Sequence, residues 1–184
     1  MPYWKEEPVR CLICRDELKE MVQRLGDEIS RDYRDEVSVH DPLLLVGILK
    51  GAIVFMADLA RSMSVPTAFD FMAVSSYGVS TTSSGVVRIL YDLDTSIEGR
   101  HVIVVEDIVD TGLTLRYIRD HLASRNPQSL KVCALLDKPE RREVPVRVDY
   151  CGRQIPDEFV VGYGLDVGER YRDLPHVAVV TESG

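Results

Sequence analysis

The spacing of apolar residues predicts a long amphipathic helix near the amino-terminal end. The helix is predicted to start near Arg15, and apolar side chains at helical spacing mark the face that it buries. These residues are Leu18, Met21, Val22, Leu25 and Ile29. The opposite face is charged, which is typical of a helix with one solvated side.

Short apolar runs then alternate with further helical patterns. The run 43–48 follows Asp41-Pro42 and predicts a buried strand, and Thr67 to Ser75 and Val86 to Tyr91 predict two more. Between the first two strands a helical face is predicted on Ile53, Met56, Ala57 and Ala60. The segment 78–85 is rich in Ser and Thr and poor in apolar residues, which predicts a mobile loop.

The second half of the chain continues the alternation. His101 to Val105 is a continuous apolar run of the kind found in buried parallel strands. A helix follows it, marked by Leu115, Ile118 and Leu122 and ended by Asn126-Pro127. Leu130 to Leu136 is a further strand. Strands alternating with helices predict an α/β domain with a mainly parallel sheet.

Ligands of such sheets bind beyond the carboxyl ends of the strands. Lys50, Glu106, Asp107 and Lys138 all fall at or just past predicted strand ends. From about residue 144 the alternation stops, and short strands with Gly and Pro take its place. The chemistry is therefore expected at the sheet edge.

The segment 104–114 is the most informative part of the chain. An apolar run ends in the adjacent carboxylates Glu106 and Asp107, and a turn containing Gly112 leads into the next helix. Amides at a helix start attract phosphate, and the Thr111 and Thr114 hydroxyls add donors. The two carboxylates can accept hydrogen bonds from vicinal ribose hydroxyls. The pattern is typical of a sugar-phosphate site, although solvated acids at a strand end would look similar.

Asp110 lies inside this phosphate-binding turn, where a negative charge is unexpected. Like charges repel, so its carboxylate is predicted to point away from the phosphate and toward another part of the ligand. This makes Asp110 the first candidate for chemistry rather than for binding.

The segment 104–114 resembles the phosphoribosyl-pyrophosphate (PRPP) motif of the type I phosphoribosyltransferases. The likeness extends from about Leu43 to Val180 and is closest to the bacterial hypoxanthine-guanine phosphoribosyltransferases. Several further segments carry it in the same order and spacing. They are Leu49-Lys50-Gly51, Ser75-Ser76-Tyr77-Gly78, Leu135-Leu136-Asp137-Lys138-Pro139 and Phe159-Val160-Val161-Gly162-Tyr163.

The resemblance implies a single phosphoribosyltransferase domain over residues 1–184. Its core, about 37–140, is a mainly parallel sheet flanked by helices. A small hood over the sheet is expected from the amino-terminal segment and from about 144–184. The implied reaction transfers the 5-phosphoribosyl group from PRPP to N9 of hypoxanthine or guanine, giving IMP or GMP and pyrophosphate.

The resemblance also assigns the PRPP site. The 5′-phosphate is expected on the turn from Asp110 to Thr114, and Leu113 stands where some family members carry Lys. Without that lysine, the 5′-phosphate would be bound by backbone amides and hydroxyls. Glu106 and Asp107 are expected to hold the ribose hydroxyls.

Pyrophosphate is expected to bind with Mg²⁺ as its counter-ion, and Mg²⁺ prefers oxygen ligands and keeps several waters. Asp166 is the carboxylate that the resemblance places near the metal, with Glu106 and Asp107 holding hydroxyls that share it. Lys50, Gly51 and Arg172 are expected to contact pyrophosphate. Judged without the resemblance, Asp166 and Arg172 would be surface charges, and Lys50-Gly51 would be a helix-start turn, so those alternatives stay open.

The purine contacts follow from the same resemblance. Lys138 matches the residue that donates to the 6-oxo group, and an ammonium has donors only, which disfavours adenine. Phe159 is expected to stack on the base, and Val160 to offer backbone groups to its edge. Asp110 is expected near N7, where it can accept or donate a proton.

Ser76 and Tyr77 start the predicted loop, which in the family closes over the active site. Such a loop keeps water away from the reactive sugar. An ordinary hairpin tip would have the same composition.

Net charge and composition exclude some classes of binding partner. The formal net charge of −8 argues against non-specific binding to nucleic acid or to an anionic membrane surface. No run approaches the roughly 18 apolar residues that span a bilayer, and the first residues lack an apolar signal region. We therefore expect a cytoplasmic protein without nucleic-acid or membrane partners. A homodimer or homotetramer is expected from the resemblance.

The cysteines indicate no metal site. Cys11 and Cys14 form a C-x-x-C pair, but Cys133 and Cys151 are isolated from each other and from any His pair. A structural zinc site needs about four ligands. The pair is interpreted as flanking a short apolar segment before the first helix.

Other classes fit less well. No G-x-G-x-x-G follows a strand, and no G-x-x-x-x-G-K-[ST] is present, which argues against dinucleotide oxidoreductases and P-loop nucleotidases. A phosphoacceptor receiver domain would leave Lys138-Pro139 and Phe159-Val160 without a role. Two alternatives remain: the same enzyme class with another base, xanthine above all, and a non-catalytic PRPP-binding regulator.

Overall fold

The structure is a computed structural model, and it describes residues 9–76 and 87–180. The helices are α1 (Arg15–Tyr33), α2 (Ile53–Ser62) and α3 (Leu113–Ala123), with a 3-10 turn at Pro139–Arg141. The strands are β1 (Val9–Ile13), β2 (Leu43–Leu49), β3 (Thr67–Ser76), β4 (Val87–Tyr91), β5 (His101–Val109), β6 (Ser129–Asp137), β7 (Tyr150–Gln154), β8 (Val160–Val161) and β9 (Val177–Val180).

Six strands form the central sheet, in the order β4-β3-β2-β5-β6-β7. All neighbouring pairs are parallel except β3 and β4, which are antiparallel. Strand β2 is buried along most of its length, as expected for a strand covered on both faces. The predicted α/β fold with a mainly parallel central sheet is confirmed.

Helix α1 confirms the first prediction. It begins at Arg15, and all of its predicted apolar residues are buried. Its first turn contains Asp16 and Glu17, which complement the positive end of the helix dipole. The backbone N–H of Cys14 donates to a carboxylate oxygen of Glu17 at 2.9 Å, which closes the helix start.

The predicted buried face of α2 is partly wrong. Ile53 was expected in the core but is 48% exposed, whereas Phe55, Met56 and Leu59 are buried. The helix is apolar almost all round, so several faces satisfy the periodicity. The contact with Gly47 in β2 decides the orientation, because a side chain there would meet Met56 Sδ at 2.5 Å.

Strand β5 is longer than predicted. The prediction ended it at Val105, before the two carboxylates. Pairing with β6 continues through Glu106 opposite Ala134 to Val109 opposite Asp137. The ladder of backbone hydrogen bonds therefore carries Glu106 and Asp107 inside the strand, where neighbouring strands hold their backbone.

A second, three-stranded sheet has the order β1-β9-β8, with antiparallel pairs. It joins the start of the described chain to its end, which is the arrangement expected of the hood. The predicted hood also included residues 150–154, but β7 pairs with β6 in the central sheet. That part of the predicted boundary is corrected, because β7 extends the parallel ladder, and the division into core and hood stays a proposal.

Gly152 in β7 generates a stability prediction. A Cβ atom at this position would lie 2.3 Å from the backbone oxygen of Leu135 and 2.6 Å from Met21 Sδ. We expect Gly152→Ala to lower the free energy of unfolding by about 1–3 kcal/mol, because the strand must shift in a packed core. Chemical denaturation measures the change.

Gln154→Ala is the matched control, because Gln154 lies in the same strand and is exposed. Its unfolding free energy is expected within about 0.5 kcal/mol of wild type. Equal stability of the two variants would contradict the close approach of β7 to β6 and α1.

Candidate active site

The carboxyl ends of β2, β5 and β6 meet at one edge of the sheet. These strands are parallel neighbours, so residues at their ends lie side by side. Lys50 follows β2, Asp107 lies near the end of β5, and Lys138 follows β6. Pairing of β5 with both neighbours thus gathers side chains that are far apart in the sequence.

The turn between β5 and α3 has an open concave surface. Gly112 has a φ of +84°, which favours glycine, and it is the amino-terminal cap of α3. A cavity of about 170 Å³ lies beside it, lined by Glu106, Asp110 and Thr111 among others. The first amides of a helix have no acceptor within the helix, so they are available to an anion.

The turn residues take the predicted positions around this cavity. Thr111 and Thr114 both line it. The backbone N–H of Leu113 donates to Thr111 Oγ1 at 3.4 Å, a long bond. The backbone N–H groups of Glu143 and Val144, in the loop after β6, both donate to the Thr111 carbonyl oxygen. The turn is therefore supported from outside while its inner surface remains concave.

Glu106 and Asp107 are acids in a low-polarity setting. Burial raises the pKa of Glu106 well above its ordinary value, and the charge of Asp107 raises it further. Burial also raises the pKa of Asp107 to about 6, partly opposed by a backbone hydrogen bond from Ile108 and by the charge of Arg172. Both carboxyl groups are thus desolvated before any ligand arrives.

The Leu49–Lys50 peptide bond, in the segment expected to contact pyrophosphate, is cis. Gly51 then passes close to Asp107, since a Cβ atom on Gly51 would lie 1.7 Å from Asp107 Oδ2. Gly164 approaches the same loop, because a Cβ there would lie 2.1 Å from the Gly51 oxygen. Glycine at both positions lets two backbone segments and a carboxylate meet.

Arg172 and Asp166 form an ion pair beside this loop. Arg172 Nη2 lies 2.8 Å from Asp166 Oδ1, and Nη1 donates to the carbonyl oxygen of Gly164 at 2.7 Å. Arg172 Nε is buried and has no hydrogen-bond partner among the described residues. Lys50 Nζ lies 3.1 Å from Glu169 Oε1, and Glu169 also pairs with Arg172.

A magnesium ion fits the donor set only together with a ligand. Across the described parts of the chain, no three His, Cys, Asp or Glu side chains converge as a metal site. Asp107 and Asp166 are close enough for the charge of Asp166 to raise the pKa of Asp107. Mg²⁺ commonly binds through one or two carboxylates, waters and substrate phosphates, which this arrangement can supply.

The other end of the site has a buried ammonium group. The Lys138 side chain is 9% exposed, and its Nζ lies 3.5 Å from Asp157 Oδ1. Phe159 is 58% exposed, so its ring is available for stacking. Val160 is buried and pairs with Val179 in β9, which fixes its backbone. The next residue, Val161, is fully buried.

Asp110 is held from two directions. Arg141 Nε donates to Asp110 Oδ1 at 2.9 Å. Arg142 Nη1 donates to the backbone oxygen of Asp110 at 2.5 Å, and its Nη2 also bonds the buried carboxylate of Asp137. Backbone and side chain of Asp110 are therefore each fixed by one arginine of the turn after β6.

The sequence interpretation did not single out Arg141, Arg142 or Asp157. A signal was present, since Arg141 and Arg142 follow Lys138 closely and no role was given to their charges. The predicted lid residues cannot be placed with the others. Tyr77 and the loop 78–85 lie outside the described residues, and Ser76 is described only as the last residue of β3.

Comparison with known proteins gives a consistent result. A family model described as a phosphoribosyl transferase domain matches residues 15–167. The hypoxanthine-guanine phosphoribosyltransferase of Mycobacterium tuberculosis is 52% identical over 170 residues, which cover 92% of this chain and 84% of that protein. The enzyme of the same name from Bacillus subtilis is 46% identical over 176 residues, covering 96% and 95%.

Solved structures are similar over nearly the whole chain. A hypoxanthine phosphoribosyltransferase from Staphylococcus aureus superimposes with a TM-score of 0.91 at 40% identity and covers 100% of both chains. The hypoxanthine phosphoribosyltransferase of Trypanosoma cruzi in complex with the product IMP gives 0.88 at 44% identity, covering 94% of each chain.

The raised pKa of Asp107 generates a pH-dependent prediction. Because the folded chain holds this proton up to about pH 6 and an ordinary Asp loses it near 3.8, wild type loses stability as pH rises between these values. Asn cannot titrate. We expect Asp107→Asn to raise the unfolding free energy by about 1–2 kcal/mol at neutral pH and by much less near pH 4.5.

Denaturant titrations at both pH values measure the difference. Asp27→Asn, at an exposed position of α1, is the matched control and is expected to show no such pH dependence. An Asp107→Asn variant that is less stable than wild type at neutral pH would refute the proposed desolvation.

Proposed function

This chain belongs to the phosphoribosyltransferase family, and we propose that its sheet edge transfers the 5-phosphoribosyl group from PRPP to N9 of hypoxanthine or guanine. The products are IMP or GMP and pyrophosphate, which makes the chain a purine salvage enzyme. One observation carries the assignment: the concave phosphate turn after β5 lies beside the buried ammonium of Lys138 after β6.

The ribose 5-phosphate half of PRPP occupies the turn cavity. Amides and hydroxyls of Thr111, Gly112, Leu113 and Thr114 surround the 5′-phosphate, at the positive end of α3. The carboxyl groups of Glu106 and Asp107, near the end of β5, hold the ribose hydroxyls. Because no lysine stands at Leu113, the phosphate depends on neutral donors and on the helix dipole.

The pyrophosphate half lies over Lys50 and Gly51. Arg172 adds a guanidinium whose buried Nε has no hydrogen-bond partner in the described parts of the chain, and a phosphate oxygen would satisfy it. Asp166 would hold Mg²⁺, with Glu106 and Asp107 holding the ribose hydroxyls that share it, and the metal would neutralise charge on the leaving pyrophosphate. Lys50 must leave Glu169 to reach the ligand, an exchange between exposed partners with a small energetic cost.

The purine lies between Lys138 and the hood. Lys138 donates to the 6-oxo oxygen, and Phe159 covers one face of the ring. Val160 contributes backbone groups whose position the β8–β9 pairing fixes. The ammonium has donors only, so a 6-amino group, which also donates, is rejected.

Asp110 manages the proton of the base. As N9 forms its bond to the sugar carbon, the bond to pyrophosphate breaks and positive charge develops on the sugar. The Asp110 carboxylate accepts the proton that leaves N7 as N9 bonds to the sugar, and it donates that proton back in the reverse reaction. Ser76 and Tyr77 are proposed to begin the lid that excludes water from the sugar.

The remaining proposals concern setting and assembly. Throughout residues 9–76 and 87–180, no helix has both the length and the apolar character to span a bilayer. A cytoplasmic location, independence from nucleic acid and assembly as a homodimer or homotetramer stay predictions. The study of a Trypanosoma cruzi relative ties the oligomeric state and activity of that protein to its carboxy-terminal region.

Substitution of Asp110 tests the proton-transfer role. We expect Asp110→Asn to lower kcat by about 10²–10⁴-fold, because the amide can neither accept the proton nor carry the charge. PRPP binding, measured by calorimetry with Mg²⁺, is expected to remain. Asp120→Asn, on the exposed face of α3, the helix that follows the turn, is the control. Full activity of the Asp110 variant would exclude the assigned role.

Base choice is tested by ultraviolet assays with PRPP and Mg²⁺. Hypoxanthine and guanine are expected to be consumed and adenine is not, because Lys138 can only donate. Activity is expected to disappear when Mg²⁺ is chelated. Consumption of xanthine in preference to both would assign another base, and PRPP binding without turnover of any base would assign a regulator.

A further inference from the structure

Two residues outside the predicted site link the groups assigned to the purine. Arg141 Nε donates to Asp110 Oδ1 at 2.9 Å, and Arg141 Nη1 donates to Asp157 Oδ2 at 3.2 Å. The other oxygen of Asp157 lies 3.5 Å from Lys138 Nζ. Asp110, Arg141, Asp157 and Lys138 therefore form one chain of alternating charges, here called the charge bridge.

Lys138 depends on this bridge for a counter-charge. Its side chain is 9% exposed, and a buried ammonium is costly unless a carboxylate or other acceptors neutralise it. In the parts of the chain that the structure describes, Asp157 is the carboxylate with which it pairs. The position of Asp157 consequently determines where the ammonium points before the base arrives.

Arg141 connects the two carboxylates of the charge bridge. It belongs to the 3-10 turn that starts directly after Lys138, and its backbone N–H donates to the Lys138 carbonyl oxygen at 3.1 Å. Its planar guanidinium donates to one oxygen of Asp110 and to one of Asp157, so it links the two carboxylates, and the three side chains are 42–48% exposed. Lys138 and Arg141 are thus coupled through the backbone as well as through Asp157.

The charge state of Asp157 agrees with this geometry. Desolvation acts to raise its pKa, but the hydrogen bond from Arg141 and the charges of Arg141 and Lys138 outweigh it and lower the pKa. The carboxylate is therefore ionised at neutral pH, and it carries the negative charge that both cations face.

We propose that Asp157 is a positioning residue for base selection, which directs the Lys138 ammonium to the 6-oxo oxygen and, through Arg141, orients the Asp110 carboxylate. Asp157 is placed behind the contacting groups and acts on the purine through them. This inference rests on the proposed function, because it gives Asp157 and Arg141 a role only if Lys138 and Asp110 act on the purine.

Asp157→Asn tests the direct half of the proposal. The amide keeps the shape and removes the charge, so the ammonium loses its fixed partner. We expect KM for the base to rise about five- to tenfold, by the same factor for hypoxanthine and guanine, since both present a 6-oxo oxygen. KM for PRPP is expected to stay within about twofold, and the melting temperature to remain near that of wild type.

Two matched variants separate positioning from a structural role. Asp157→Glu restores the charge and is expected to recover most of the base affinity. Glu158→Gln makes the same carboxyl-to-amide change one residue further on, where the carboxylate pairs with Arg10 instead. That variant is expected to leave both KM values unchanged within about twofold.

Arg141→Gln tests the link to Asp110. We expect it to lower kcat about three- to tenfold while KM for the base changes less than in Asp157→Asn, because Lys138 keeps its partner. Asp157→Asn alone is expected to lower kcat through Arg141 as well, and in the double variant it is expected to cause no further loss of kcat, since its route to Asp110 is already gone. Losses that simply multiply would refute the coupling.

The outcomes separate this inference from the proposed function. An inactive wild-type protein would refute the proposed function itself. An active wild type with unchanged base KM in Asp157→Asn would refute only the positioning role. Equal rises in KM for base and PRPP, with a lower melting temperature, would also overturn it, because that result indicates a structural defect.

Discussion

Parallel pairing of β5 with β2 on one side and β6 on the other is the constraint on which the rest of the site depends. It holds the backbone of Glu106 and Asp107 through the end of the strand, and it brings Lys50 and Lys138 to the same edge. Glu106 and Asp107 are adjacent in the strand and point to opposite faces of the sheet, so a shift of register by one residue would exchange their faces. The backbone hydrogen bonds between these strands therefore determine where the side chains of the site lie.

The electrostatic arrangement follows from that edge. The chain carries a formal net charge of −8, yet the site must receive a polyanion. It does so with raised carboxyl pKa values at Glu106 and Asp107, a helix start at Gly112 and the guanidinium of Arg172. Lys50, Lys138 and Arg172 each pair with a carboxylate, of Glu169, Asp157 and Asp166 respectively, so a bound polyanion would exchange places with these partners.

Much of the fold could be predicted from the sequence because local patterns determine it. The buried face of α1 and the alternation of strands with helices are examples, and the motif at 104–114 led to the correct family. The face of α2 could not be predicted, because its apolar residues surround the helix and packing against Gly47 selects among them. The end of β5 was misplaced because charge was taken as a sign of solvent.

The site shows a similar division. Motif residues were found because their spacing is characteristic, whereas the charge bridge joins residues 31 and 16 positions apart and has no local signature. The closeness of Gly51 to Asp107 and to Gly164 is likewise a tertiary contact. Such features depend on how loops pack on the sheet edge, which no pattern along the chain records.

Phosphorus NMR of the protein with PRPP, hypoxanthine and Mg²⁺ tests the central claim most directly, because it follows substrate and both products at once. The account predicts that the diphosphate signals of PRPP are replaced by free pyrophosphate and that a nucleoside monophosphate signal grows in equal amount. PRPP signals that shift or broaden on binding but persist, with no nucleotide formed, would contradict it.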